Sequence, residues 1–81
     1  MRIDKFLKVS RLIKRRTVAN EVADAGRIMA NGREVKASYQ VKVGDEIEIM
    51  FANKPVKVKV LSTEATVSKD GAREMYTVIE D

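Results

Sequence analysis

The pair Asn31-Gly32 constrains the fold of this chain more than any other feature of its sequence. It lies in the middle of the segment RIMANGREV, residues 27–35, between two short runs that contain apolar residues. An Asn-Gly pair in this setting is the strongest short-range signal of a β-hairpin, because both residues tolerate the backbone of a tight two-residue turn. The segment therefore predicts an antiparallel hairpin.

Apolar and polar residues alternate in the second half of the chain, which is typical of half-buried strands. The alternation predicts one strand over Glu46–Phe51 and an antiparallel partner over Val56–Val60, joined by a turn at residues 52–55. A last short strand is expected over Met75–Ile79. The first of these strands has one apolar face, formed by Ile47, Ile49 and Phe51.

Two polar segments connect the predicted strands. Residues 36–44 are expected to form a loop in which Tyr39 and Val41 turn inward, and which ends in the turn pair Gly44-Asp45. Residues 62–74 are polar, and their tip around Lys69-Asp70-Gly71 is expected to be mobile.

The first 16 residues carry most of the positive charge of the chain. They hold seven basic residues and one acid, Asp4, for a net charge of +6, whereas the other 65 residues sum to −2. So uneven a distribution favours a polyanionic partner, since clustered cations repel one another unless an anion relieves them. The basic residues are Arg2, Lys5, Lys8, Arg11, Lys14, Arg15 and Arg16.

Apolar residues between these cations predict two short helices that dock on a core. Asp4 is expected to be the N-cap of a first helix that runs to about Val9, with a break near Ser10. A second helix is predicted over Thr17–Ala25, with apolar positions 18, 19, 22 and 23 buried and Gly26 ending it. Arg15 and Arg16 would lie at its entrance, where backbone N–H groups favour an anion.

The composition argues against catalysis. The chain of 81 residues contains no cysteine and no histidine, so a disulfide, a thiolate zinc site and the commonest general base are absent. We expect one domain that is a monomer, with no catalytic residue, cofactor or metal. No long apolar run precedes the charges at positions 2, 4, 5 and 8, so we expect neither a signal peptide nor a membrane helix, and a cytoplasmic location.

Residues 1–51 resemble the S-four RNA-binding domain, which is named after the fourth small-subunit ribosomal protein. The order and spacing of several short motifs carry this resemblance. One position departs from the family pattern, because Arg15 stands where a serine or threonine is usual. Thr17 would then cap the second helix, or the cap would be exchanged for a phosphate contact. The matching motifs are Arg2-Ile3-Asp4, Arg16, Gly26, Ile28, Asn31-Gly32 and Gly44-Asp45.

The resemblance implies an α+β fold of the alpha-L type, with short N-terminal helices packed on an antiparallel β-hairpin and sheet. Residues 1–51 would form the RNA-binding core and residues 52–81 a C-terminal β-extension of the same domain. The chain resembles free-standing family members that act in ribosome-associated quality control. This resemblance implies binding to rRNA of the large ribosomal subunit and to peptidyl-tRNA. Such binding would support C-terminal tailing of stalled nascent chains. A nascent-chain tailing factor is a further candidate partner. The alternative is a general folded-RNA chaperone or regulator.

The family assigns its RNA-binding surface to the two helices, with Arg2 and Arg16 as first choices. We expect both arginines to contribute little to stability, as exposed charges do. The alternative is that they belong to an ion pair that organises the core, such as Arg2 with Asp4. Single lysines in the cluster could equally be solvated surface residues, and a basic amphipathic helix could also bind a membrane surface. Arg27 and Arg33 could extend the RNA surface or be ordinary exposed residues.

Two further groups of residues are interpreted as structural. Lys57 and Lys59 would lie on an edge strand, where lysine blocks edge pairing. The rings of Phe6, Tyr39 and Phe51 could stack on bases, but a core with few aromatic residues is expected to claim them.

Overall fold

A computed structural model shows two helices and a five-stranded antiparallel sheet, and describes residues 1–51, 54–63 and 74–79. The strands follow the order β2-β1-β3-β4-β5. The predicted α+β class is confirmed. The elements are α1 (Ile3–Val9), α2 (Arg16–Asp24), β1 (Ile28–Ala30), β2 (Arg33–Glu34), β3 (Glu46–Met50), β4 (Pro55–Val60) and β5 (Tyr76–Val78).

Helix α1 ends where the sequence predicts but begins differently. Its N-cap is Arg2, which makes no side-chain capping bond, so the prediction of Asp4 as N-cap is wrong. Asp4 lies inside the first turn, where its carboxylate faces α2 and also accepts the Lys5 backbone N–H of its own helix. The predicted break near Ser10 is confirmed, and Arg11 follows it at a φ of 64°.

Helix α2 begins and ends one residue earlier than the sequence predicts. Its N-cap is Arg15, which makes no side-chain capping bond, so Thr17 does not cap the helix. Gly26 ends it at a φ of 78°, and two backbone bonds close the last turn in a Schellman arrangement: Gly26 N–H to Ala23 and Arg27 N–H to Val22. The buried face is narrower than predicted, because Val18 is exposed.

The hairpin over β1 and β2 turns at Asn31 and Gly32, both at positive φ, as the sequence predicts. Strand β3 buries Ile47 and Ile49 but ends at Met50. Phe51 therefore falls outside the strand and is 41% exposed instead of lying in the core.

Strand β4 pairs with β3 on one side and β5 on the other, so it is an interior strand and not an edge. The expectation that Lys57 and Lys59 protect an edge is therefore wrong. They lie on the sheet face opposite the buried Val58 and Val60, where Lys57 pairs with Glu46 at 3.6 Å.

The core forms between the two helices and one face of the sheet. Ile3, Phe6 and Leu7 of α1 are fully buried, and small residues of α2, Ala19 and Ala23, allow close approach. Burial of each large apolar side chain contributes about 1.5–3 kcal/mol. The sheet supplies Ile28, Ala30, Ile47, Ile49, Val58 and Val60, and the segment before β5 supplies Met75.

The loop after β2 is tied to the start of α1 by backbone bonds. Ile3 N–H donates to the Tyr39 carbonyl at 2.7 Å and Asp4 N–H to the Ala37 carbonyl at 3.3 Å. Val41 is buried and Tyr39 half-buried, as predicted. The start of α1 is therefore held between α2 and this loop.

Some predicted features lie outside the described residues, namely the mobile tip at 69–71 and part of the turn at 52–55. In the described residues, the helices are too short and too polar to cross a bilayer. The same residues contain no group of three acidic side chains that could hold a metal ion.

Candidate nucleic-acid interface

A buried carboxylate, Asp4 on α1, lies at the centre of the N-terminal cations. Arg16 of α2 reaches both of its oxygens, with Nε 3.3 Å from Oδ2 and Nη2 donating to Oδ1 at 3.4 Å. The Nε of Arg2 lies 3.3 Å from Oδ1. The Asn20 amide donates to Oδ2 at 3.3 Å and the Lys5 backbone N–H to Oδ1 at 2.8 Å. The side chains of Arg2, Asp4, Arg16 and Asn20 form what we call the Asp4 cluster.

Asp4 is ionised at neutral pH in spite of its burial. Burial alone would raise its pKa, but hydrogen bonds from Arg16, Asn20 and the Lys5 N–H, together with the charge of Arg16, hold the pKa below its usual value. One carboxylate thus serves two guanidinium groups, which leaves the cluster with one excess positive charge.

The Asp4 cluster fixes two arginines without hiding them. The side chain of Asp4 is 3% exposed, whereas those of Arg2 and Arg16 are 45% and 47% exposed. A guanidinium carries five N–H donors, so the donors that Asp4 does not use remain for a second acceptor. The sequence predicts that the two arginines are free surface cations. They are instead ion-paired with Asp4. They also hold the start of α1 against α2.

The other five predicted cations surround or extend this cluster. Lys5 is half-buried, and the remaining four are exposed. No carboxylate of the described residues lies within ion-pair distance of any of the five. The four exposed cations are Lys8, Arg11, Lys14 and Arg15.

The structure places these cations unequally. Lys8 lies one turn after Asp4 on α1, and Arg15 directly precedes Arg16, so both lie beside the cluster. Arg11 and Lys14 lie on the connection between the helices, and no hydrogen bond of the described residues joins their side chains to the cluster. Within the described residues, Asp4 is the one carboxylate that pairs with any of the seven cations, so a large positive excess remains on the helical part of the surface.

A second buried carboxylate, Asp45, supports the site from the sheet side. It accepts hydrogen bonds from Asn31 Nδ2 at 3.1 Å, from the Tyr39 hydroxyl at 2.8 Å and from the Lys42 N–H at 3.0 Å. These bonds outweigh its burial and lower the pKa of Asp45, while the bond to Asp45 raises the pKa of Tyr39. Since the Tyr39 carbonyl accepts the Ile3 N–H, this network holds the start of α1 in place.

Two residues near the cluster were missed in the sequence. Asn20 has no charge and sits within a helical pattern, so only its contact with Asp4 reveals it. Lys36 is exposed next to Ala37, whose carbonyl accepts the Asp4 N–H, which brings this lysine near the start of α1. A contact between residues more than 30 apart in the chain leaves no local sequence signal.

An open groove of about 420 Å³ lies beside the cluster. It is lined by Asp4, Arg16, Thr17, Asn20 and Glu21. Arg16 and Asn20 are four residues apart on α2, as are Thr17 and Glu21, so the groove runs along two neighbouring ridges of that helix.

A known domain family matches the part of the chain that forms the two helices and the hairpin. The pattern of the S4 domain fits residues 1–47, which include both helices and the hairpin. The chain belongs to the S4 domain family. The resemblance stated from the sequence is thereby confirmed.

Relatives of this S4 domain protein match it over its full length. The chain is 56% identical over 81 residues to the RQC P-site tRNA stabilizing factor of Bacillus subtilis, covering all of this chain and 94% of the relative. It is 54% identical to the factor of the same name from Streptococcus pneumoniae, covering all of this chain and 92% of the relative. A heat shock protein 15 homolog of Haemophilus influenzae is 27% identical over 76% of this chain and 47% of its own length.

Solved structures share the S4 fold seen here. The hypothetical protein HP1423 superposes with a TM-score of 0.85 at 30% identity, covering all of this chain and 99% of that one. Heat Shock Protein 15 of Vibrio cholerae, whose structure is described as trimeric, gives a TM-score of 0.89 at 22% identity, covering 98% of this chain and 81% of that one. The second likeness bears on the fold alone.

Proposed function

We propose that this protein is a non-catalytic RNA-binding factor of ribosome-associated quality control that stabilises a tRNA in the P site. The full-length identity of 53–56% to factors named for this role supports the proposal. So does the S4 domain, a module of RNA-binding proteins. The chain would act in the cytoplasm as a monomer.

The observation that carries the proposal is the unbalanced charge of the helical surface. Of the seven cations, only Arg2 and Arg16 have a carboxylate partner among the described residues, and that carboxylate orients their guanidinium groups while leaving them half exposed. Phosphate is the acceptor that such planar, fixed donors suit best. Because α1, α2 and the loop after β2 are tied together, the donors form a shaped surface and not a loose tail.

Recognition would be led by phosphates. Cations from both helices grip a folded RNA backbone by its shape, with little reading of base edges. Proposed contacts are Arg2, Lys5, Lys8, Arg11, Lys14, Arg15 and Arg16. The partners we propose are rRNA of the large ribosomal subunit and peptidyl-tRNA, with a nascent-chain tailing factor on the same particle.

A sedimentation experiment tests the proposal. Lys8 and Arg15 lie beside the cluster without a carboxylate partner among the described residues, so replacing both with alanine removes charge without breaking an internal ion pair. The tagged wild-type chain should co-migrate with large ribosomal subunits in a sucrose gradient. We expect the double variant to shift largely to the top fractions, since each phosphate contact contributes separately to affinity.

The matched control is Lys59→Ala, which removes an exposed cation from the opposite face of the sheet. It should co-migrate as the wild type does. If the wild type binds RNA but never co-migrates with large subunits, the alternative of a general folded-RNA chaperone or regulator is favoured. Equal loss of binding in the control and the double variant would remove the case for this surface.

A further inference from the structure

The groove beside the Asp4 cluster carries an acid that phosphate binding does not explain. Glu21 is exposed, lines the groove with Arg16, and forms no ion pair within the described residues. A carboxylate beside a phosphate-binding arginine repels phosphate. Its position favours a ligand group that donates a hydrogen bond.

Asn20 supplies a second acceptor in the same groove. Its Nδ2 donates to Asp4 Oδ2 at 3.3 Å, so the amide oxygen is turned away from that carboxylate. No described group donates to this oxygen. The groove therefore holds one guanidinium, from Arg16, and the Thr17 hydroxyl, which can donate or accept. The oxygens of Asp4 are already engaged, which leaves two acceptors without a described partner, the neutral amide oxygen of Asn20 and the charged carboxylate of Glu21. Phosphate oxygens only accept hydrogen bonds and cannot satisfy those two.

We propose that the groove binds the ribose of a nucleotide whose phosphate Arg16 holds, with the 2′-hydroxyl donating to Glu21. The inference rests on the proposed function. In RNA a 2′-hydroxyl lies next to the phosphodiester of every nucleotide, whereas amino groups depend on the base. This hydroxyl is also the group by which a protein distinguishes RNA from DNA. Glu21 is then a specificity-determining residue, and Arg16 supplies affinity for the backbone.

A pair of synthetic RNA stem-loops of the same sequence tests the inference, one with ordinary ribose and one with 2′-fluoro nucleotides. Fluorine keeps the A-form helix but removes the hydroxyl donor. Fluorescence anisotropy should give a Kd for the ordinary stem-loop that is lower by roughly tenfold, as the loss of one hydrogen bond to a charged group predicts. In Glu21→Ala the ratio of the two Kd values, 2′-fluoro to ordinary, should fall close to one.

Asp24→Ala is the matched control, because Asp24 is another exposed acid of α2 but does not line the groove. It should leave the ratio unchanged. If Glu21 only repels phosphate, Glu21→Ala will tighten both stem-loops equally and the ratio will stay as in the wild type, which overturns the inference.

Two other outcomes separate this inference from the function on which it rests. Equal affinity of the wild type for both stem-loops, with Lys8 and Arg15 still needed for binding, rejects the ribose site alone. Failure of the wild type to bind either stem-loop counts against the proposed function itself. Circular dichroism of each variant checks that the fold is kept.

Discussion

At the scale of single residues, Asp4 ties the packing of the two helices to the two arginines that we propose bind RNA. The sequence suggests that it caps α1, yet its carboxylate is buried and holds Arg2 and Arg16 from two elements. A buried carboxylate costs free energy unless hydrogen bonds compensate it. The arginines proposed to bind RNA are thus also the residues that keep Asp4 satisfied.

Arg16→Ala should therefore lower stability, contrary to the expectation for a free surface charge. The change removes both side-chain bonds that Arg16 makes to Asp4, so the free energy of unfolding should fall by about 1–3 kcal/mol. Because Arg16 is half exposed, the lower end of that range applies. Urea denaturation measures the effect, with Lys8→Ala as a control near zero. An unchanged midpoint would mean that water replaces Arg16 without loss.

Replacing Arg11 should weaken RNA binding without lowering stability. It is held at a φ of 64°, which costs a residue with a side chain about 1–2 kcal/mol. Arg11→Gly relieves that strain but adds entropy to the unfolded chain, roughly 0.4–1 kcal/mol, so stability should stay equal or rise by up to about 1.6 kcal/mol. Affinity for the RNA stem-loop should still fall, because one phosphate contact is lost. Binding measured beside thermal unfolding checks both parts; unchanged affinity would remove Arg11 from the interface.

At the scale of elements, polar contacts between distant segments decide where the helices sit. Asp45 links the turn of the hairpin to Tyr39, and the Tyr39 carbonyl accepts a bond from the start of α1. The sequence marks Gly44-Asp45 only as a turn. The sequence carries no sign that the Asp45 carboxylate helps to hold the proposed RNA-binding surface in place.

The shifted pKa values of Asp4, Asp45 and Tyr39 determine how the free energy of unfolding should depend on pH. The pKa of Asp4 and that of Asp45 are lowered in the folded state, so their stabilisation is present above the ordinary aspartate pKa of about 3.9 and is lost as pH falls through the lower folded values. The pKa of Tyr39 is raised, so its contribution is complete below about pH 10 and is lost at higher pH.

Thermal unfolding across a pH series should thus show a plateau between about pH 4 and 10, with a fall on either side. In Tyr39→Phe the alkaline fall should become smaller. The acid fall should shrink only in the part that Asp45 contributes, because Asp45 loses one hydrogen bond while Asp4 keeps all its partners. An acid limb that is equally steep after Asp4→Asn would contradict the role given to Asp4.

At the scale of the whole molecule, local patterns predicted the elements and missed the contacts between them. The hairpin, the break after α1, the end of α2 at Gly26 and the strand pair β3–β4 all follow from turn chemistry and alternation within a few residues. Phe51 was misplaced because its surroundings depend on how far β3 runs, and the supposed edge lysines because theirs depend on where β5 pairs. Asp4 was predicted as an N-cap or, alternatively, as the ion-pair partner of Arg2. Its contacts with Arg16 and Asn20 were missed, because those residues are 12 and 16 positions away.

The charge distribution of the whole molecule leads to the most general prediction. If on the order of four to six phosphates are engaged, the logarithm of affinity should fall with the logarithm of salt concentration at a slope of roughly −3 to −5. This slope is set by the cations that meet RNA and not by the net charge of +4. Replacing Lys8 and Arg15 with alanine should reduce the slope by about 2, whereas Lys59→Ala should leave it unchanged. Titration of the RNA stem-loop at several salt concentrations measures it, and a slope near zero would exclude recognition led by phosphates.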